Sequence, residues 1–299
     1  PVMMRTTTTL LAGFSALVLA ATTASAASVT VGGKNYTEQL IMSSMTKQLL
    51  DANGFDTDLR NGMGSTVLRR AQLNGQVDLY WEYVGTSLIT YNEVEGGAEM
   101  SRMEAYKKVK KLDAEKGLVW LDPSHANNTY AIAMEEEDAK ERGIETISDL
   151  AQLVEGGKEL SFATDAEFAS RPDGLPGLQE HYGFNFSRAQ VSRMDAGLVY
   201  KALNEDEVNS AMVFATDGRN AAFDFRVLED DKNFFPNYAI TPVVRKETLD
   251  KHPKLRDLLN DLSGRLDDDT MQRLNKQVDV EKKDIAEVAE QFLKDEGLI

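Results

Sequence analysis

"SVTVGGKNYTEQLIMSSMTKQLLDANGFDTDLR", residues 28–60, decides the fold class. Val29 and Val31 alternate with polar neighbours, the period of a strand, and Gly32-Gly33 closes it. Leu40, Ile41, Met45, Leu49 and Leu50 then recur at helical spacing, with Thr37 placed as N-cap and Asn53-Gly54 as the stop. "FDTDLRNGMG" (55–64) reads as strand and turn, "STVLRRAQLNG" (65–75) as a second helix, and "VDLYWEY" (77–83) as the next strand. Strand and helix alternating in this way imply an α/β fold on a mostly parallel sheet.

The alternation continues. "AEMSRMEAYKKVKKLDAEKG" (98–117) is an amphipathic helix and "LVWL" (118–121) a strand. "TYAIAM" (129–134) and "ELSFAT" (159–164) read as strands around the helix "ISDLAQLVEGG" (147–157). A Gly- and Pro-rich loop beginning "DAEFASRPDG" (165–174) leads into a helix; "AGLVYKALNEDEV" (196–208) is helical and "NSAMVFATDG" (209–218) returns to strand. From "KETLDKHPKLRDLL" (246–259) onward the chain is helical with one charged face. No internal repeat or low-complexity linker interrupts it.

Composition narrows the function. A formal net charge of −16 repels a phosphate polyanion, so no nucleic-acid partner is expected. With no cysteine, thiolate metal sites, disulfides and a Cys nucleophile are excluded, and the lack of Cys at the processing site argues against a lipid-anchored lipoprotein. His125, His181 and His252 are scattered without a ligand-like pair, so no metal is expected. Ser124-His125 is not a triad, no G-x-S-x-G elbow is present, and no G-x-x-x-x-G-K-[ST] loop is present. The chain therefore reads as neither an enzyme nor an ATPase, and no cofactor is expected.

Near the N-terminus, Arg5 precedes the apolar run "LLAGFSALVLA" (10–20), and Ala24-Ser25-Ala26 fits a small-x-small cleavage site. Residues 1–26 are read as a secretory signal peptide, its apolar run too short for a membrane span of about 20 residues. Periplasmic localisation of the remaining chain is expected.

The chemistry concentrates in "DLYWEYVGT" (78–86), where Tyr80, Trp81 and Tyr83 sit beside Asp78 and Glu82. Taken alone, Tyr83 is more often a core aromatic than a ligand ring, and Asp78 and Glu82 read as solvated or locally hydrogen-bonded acids without assigned chemistry. Together with "VGGKNYTEQ" (31–39), "NNTYAIAM" (127–134), "EFASRPDGLPGL" (167–178), "VFATDGR" (213–219) and "NYAITPVVR" (237–245), the stretch resembles one family throughout. These six ordered motifs resemble the substrate-binding proteins of osmoprotectant (glycine betaine, choline, carnitine) ABC transporters of the quaternary-amine uptake type.

The resemblance implies a type II periplasmic binding protein with two lobes, each a mostly parallel sheet flanked by helices. Residues 29–128 and 240–299 would form lobe A and residues 129–239 lobe B, with hinge crossings near 128 and 239. It also implies a ligand held in an aromatic cage between the lobes and delivered to membrane permease subunits, the receptor itself being a monomer. Tyr83, Tyr130, Phe214 and Tyr238 match the cage rings, Phe214 standing where the family often has Tyr. Lys34, Thr86 and Arg171 match positions that bind the ligand's carboxylate. Asn128 occupies a place where some relatives have Asp. Thr66 matches a pocket-edge position where a choline-selective relative has an acid.

Physical chemistry supplies the reason. A trimethylammonium group has no N–H to donate and is weakly hydrated, and each ring face over it contributes about 0.5–2 kcal/mol. Arg171 suits a carboxylate bidentately, and Lys34 lies just before the first helix, whose N-terminus also favours an anion. A cage without an acid beside a basic clamp favours a zwitterionic betaine over choline. An amino-acid receptor on the same fold would instead show a carboxylate facing the ligand's amine. An exported enzyme acting on choline-containing substrates would need a nucleophile or metal near the cage.

Overall fold

The computed structural model describes residues 27–299; the signal-peptide reading of residues 1–26 lies outside them. Among the described residues, ten strands form two five-stranded sheets. The first takes β1 (Ala27–Lys34), β2 (Phe55–Met63), β3 (Leu79–Tyr83), β4 (Leu118–Trp120) and β10 (Ile240–Arg245), in the order β2-β1-β3-β10-β4. The second takes β5 (Tyr130–Glu135), β6 (Phe162–Thr164), β7 (Val191–Arg193), β8 (Ser210–Phe214) and β9 (Phe225–Val227), in the order β7-β6-β8-β5-β9. In each sheet the fourth strand, β10 or β5, runs antiparallel to its neighbours. The two-lobed α/β expectation holds, and each sheet is mostly parallel.

The reversed strands are the ones the chain enters on passing between sheets. The two passages lie side by side: Asn127 bridges Ala239, the Tyr238 amide donates to Asn127 Oδ1 (2.8 Å) and the Asn128 amide to the Tyr238 carbonyl (3.3 Å).

Helix α1 (Thr37–Ala52) follows β1 and buries Ile41, Met42, Met45, Leu49 and Leu50 against the first sheet. Its N-cap is Tyr36, not Thr37. The Thr37 hydroxyl instead donates to Asp279 at the end of the helix Asp268–Asp279 (2.7 Å), tying this C-terminal segment to the start of α1. Helix α2 (Ser65–Leu73) follows β2 as expected. β7 and β9, three residues each, carry too little pattern to be read from sequence.

Residues 84–91 leave β3 as a short helical turn and then a wide π-type turn. A buried carboxylate fixes this segment. Asp113, on the helix Arg102–Ala114, accepts from Arg69 Nη2 (2.6 Å), Trp120 Nε1 (2.7 Å), Ser87 Oγ (3.0 Å) and Asn92 Nδ2 (3.1 Å). Burial alone would push this carboxyl up, but Arg69 and the neutral donors override it and hold it below the usual range. Asp113→Ala leaves the Arg69 guanidinium buried without its partner and is expected to cost about 3–5 kcal/mol, read by denaturant unfolding. A loss below about 1 kcal/mol would show that the network does not hold the segment.

Candidate ligand-binding site

In open α/β sheets ligands sit beyond the carboxyl ends of the strands. Lys34 ends β1, Tyr83 ends β3, Asp165 follows β6 and Phe214 ends β8. On the reversed strands the same edge is the amino end: Tyr130 begins β5, and Tyr238 stands two residues before β10. These residues line one cavity, together with Asn35, Tyr36, Ser65, Thr86, Asn128, Glu167 and Arg171. Its volume is about 20 Å³. A wider groove of about 940 Å³ shares Tyr130 but has none of the other cage rings and neither Lys34 nor Arg171, so size alone does not mark the site.

The rings converge through backbone register. Tyr130 and Phe214 are direct cross-strand partners, with centroids 5.5 Å apart. Tyr36 stacks on Phe214 at 5.0 Å and faces Tyr83 at 6.3 Å, while Tyr238 meets Tyr130 edge-on at 5.5 Å. Gly85 is required here, since a Cβ there would stand 2.8 Å from the Tyr238 ring.

The basic residues are already engaged. Lys34 Nζ donates to the fully buried Glu82 (2.6 Å) and lies 4.9 Å from the Tyr83 centroid. Arg171 grips Asp173 with Nε (2.8 Å) and Nη2 (2.6 Å), reaches Thr86 Oγ1 (3.2 Å) and lies 5.3 Å from the Tyr130 centroid. Two ring faces thus carry the protein's own cations. Asp173 also accepts from the Tyr238 hydroxyl (2.6 Å), so ring and clamp share one acid.

Three expectations need correction. Thr66 is exposed and does not line the cavity; α2 begins at Ser65, and one residue further along a helix turns Thr66 about 100° away from the cleft. Of the two readings of Glu82, solvated or locally hydrogen-bonded, the structure has the second, with bonds to the Tyr80 hydroxyl (2.7 Å) and the Tyr83 amide (2.8 Å), but the acid is fully buried and its charge partner is the distant Lys34, with the Tyr91 hydroxyl at 3.2 Å. The cavity also has acids, Asp165 and Glu167, where none was expected.

Tyr36 was missed although it lies inside the quoted motif 31–39; its place between strand and helix, facing the strand ends, was the available signal. Glu38, the second residue of α1, accepts from Tyr83 Oη (2.9 Å), Asn128 Nδ2 (2.8 Å), Thr216 Oγ1 (2.6 Å) and Asn275 Nδ2 (3.2 Å). Asn128 therefore turns its amide to Glu38 while lining the cavity. Burial pushes the Glu38 carboxyl up, and these four donors pull against it.

Glu167 Oε1 accepts the amide of Ser65 at the start of α2 (2.6 Å), a contact from one sheet's loop to the other's helix. Asp165 Oδ1 accepts the Phe168 amide (2.7 Å). Burial raises the Asp165 carboxyl to about 6 against that bond.

Two lobes with a ring-lined cavity between their strand ends define a solute-binding protein rather than an enzyme. The comparisons agree. The family model described as the substrate-binding domain of the ABC-type glycine betaine transport system matches residues 27–295. A glycine-betaine-binding protein of Pseudomonas aeruginosa is 46% identical over 94% of this chain and 92% of its own length. The glycine betaine-binding protein YehZ of Escherichia coli is 34% identical over 91% of this chain and 92% of its own. A crystal structure titled a glycine betaine/carnitine/choline ABC transporter matches with a TM-score of 0.69 at 34% identity, over 90% of this chain and 99% of that one. The chain belongs to this family of ABC-transporter substrate-binding domains.

The raised Asp165 carboxyl fixes a sign. Below its ordinary value of 3.8 folded and unfolded states are both protonated and nothing is lost; above about 6 both are ionised and the full burial cost falls on the folded state. Asp165→Asn is therefore expected to raise the melting temperature near pH 8, with the gain shrinking towards about pH 4. An equal gain at both pH values would contradict the assignment.

Proposed function

We propose that this protein captures a quaternary ammonium osmoprotectant, glycine betaine or a related betaine or choline, between its lobes and hands it to the permease subunits of an ABC importer. The observation that carries the reading is the convergence of Tyr36, Tyr83, Tyr130, Phe214 and Tyr238 on one cavity that also holds Lys34 and Arg171. Rings accept a methylated nitrogen that has no hydrogen bonds to lose, whereas an ammonium would give up its water. A ligand carboxylate would approach Lys34 Nζ and Arg171 Nη1, the latter lying 3.7 Å from Glu167.

Residues 29–128 with 240–299, and residues 129–239, act as the two lobes, and the paired passages near 128 and 239 act as the hinge. With a central space of about 20 Å³, entry of a trimethylammonium group requires the lobes or rings to part. Binding then favours the closed form by its difference in affinity between states. The receptor works as a monomer in the periplasm, exported by the segment 1–26.

A second reading is favoured by one observation: Asp165 is the kind of carboxylate an amino-acid receptor would turn to its ligand's amine. A thermal-shift panel of glycine betaine, choline, carnitine and amino acids separates the two. Quaternary amines are expected to raise the melting temperature and amino acids to leave it unchanged; the reverse would favour the second reading. Tyr130→Ala and Tyr238→Ala are each expected to weaken binding by roughly threefold to thirtyfold, and together to abolish the shift. Full affinity in the double variant would overturn the proposal.

A further inference from the structure

The rings do not distinguish choline from a betaine, because both present the same trimethylammonium group; discrimination must come from the charge around the rings. Lys34 with Glu82, and Arg171 with Asp173, are each ion pairs with contacts of 2.6 Å and cancel locally. Glu167 is engaged at both oxygens, with the Ser65 amide at 2.6 Å and Arg171 Nη1 at 3.7 Å. Asp165 differs. It lines the cavity, and among the described residues no lysine, arginine or histidine forms an ion pair with it.

On the quaternary-amine reading above, we propose that Asp165 is a specificity-determining residue: its carboxylate raises affinity for a quaternary cation that lacks a carboxylate, the choline class, relative to a zwitterionic betaine. Coulomb attraction to the trimethylammonium group is the same for both ligands. A betaine, however, brings its own carboxylate into the same cavity, and repulsion from Asp165 offsets the gain. A carboxylate that is costly to bury, held at the cavity wall without a cationic partner, has a counter-charge to offer an incoming cation. Its position also makes the preference sensitive to pH, because burial places its titration at about 6. Facing it are Arg171 and Glu167, and the same cavity is lined by Lys34, paired with Glu82, and by the uncharged phenols of Tyr36, Tyr83, Tyr130 and Tyr238. Glu38 has a raised carboxyl too, but it is held by four donors beneath Tyr83 and Asn128.

The test is titration calorimetry with choline and with glycine betaine, near pH 8 and near pH 5, on the wild type, Asp165→Asn and Asp165→Glu. The choline-to-betaine affinity ratio is expected to fall about fivefold in Asp165→Asn near pH 8, and by a similar factor in the wild type on going to about pH 5. Asp165→Asn should lose the pH dependence and Asp165→Glu should keep the wild-type ratio. An unchanged ratio in Asp165→Asn, with both ligands still bound, would overturn the inference alone. So would a pH dependence that persists in that variant, which would belong to a group other than Asp165. A wild type that binds neither ligand would overturn the quaternary-amine reading itself, and this inference with it.

Discussion

The site exists because the strands of two sheets direct one edge at a common space. Parallel strands put their carboxyl ends there, and the single reversed strand of each sheet contributes its amino end instead. Backbone pairing thereby fixes which side chains can meet. Tyr130 opposes Phe214 because β5 and β8 are in that register, and a slip of one residue would turn the slipped strand's ring to the other face and break the pair. Nothing about the rings themselves would bring them together.

Once together, the rings are not idle surfaces. Lys34 stands over Tyr83 and Arg171 over Tyr130, each with a carboxylate behind it. A ligand cation entering this space competes with groups the fold has already placed there. A guanidinium or ammonium held by an acid at 2.6 Å loses little by moving off a ring face, since its main partner is the acid. A trimethylammonium group has no such partner and gains most from the ring. That asymmetry gives a physical basis for a cage that prefers methylated nitrogen, and it places the remaining discrimination among ligands in the surrounding charge.

Much of this could be read from the chain alone. Val29 and Val31 before the helical spacing of Ile41, Met45 and Leu49 gave the α/β alternation, because period and hydrophobicity are local properties. Tyr83, Tyr130, Phe214 and Tyr238 were named before their contacts were seen, through ordered motifs rather than through any single ring. What escaped was pairing. Glu82 looked like an ordinary strand acid because its partner Lys34 is 48 residues away in sequence. Thr66 was named from its match to a pocket-edge position of the resembled family; the helix start at Ser65 was read correctly, but spacing alone did not say which of its first residues faces the cavity, and one residue is enough to leave the cavity wall. Asp165 and Glu167 sat in a Gly- and Pro-rich loop with no periodicity to say which side chains face inward. Tyr36 was hidden by the expectation that Thr37 caps the helix, while that hydroxyl reaches Asp279, 242 residues on.

The account's central claim is that aromatic faces enclose the ligand's methylated nitrogen. The most direct measurement is the proton NMR spectrum of a trimethylammonium ligand bound to the protein, with nuclear Overhauser effects recorded from its N-methyl protons. Ring currents from the enclosing faces should move the N-methyl resonance upfield, with Overhauser contacts to tyrosine and phenylalanine ring protons. An N-methyl resonance unshifted on binding, with contacts only to aliphatic protons, would contradict it.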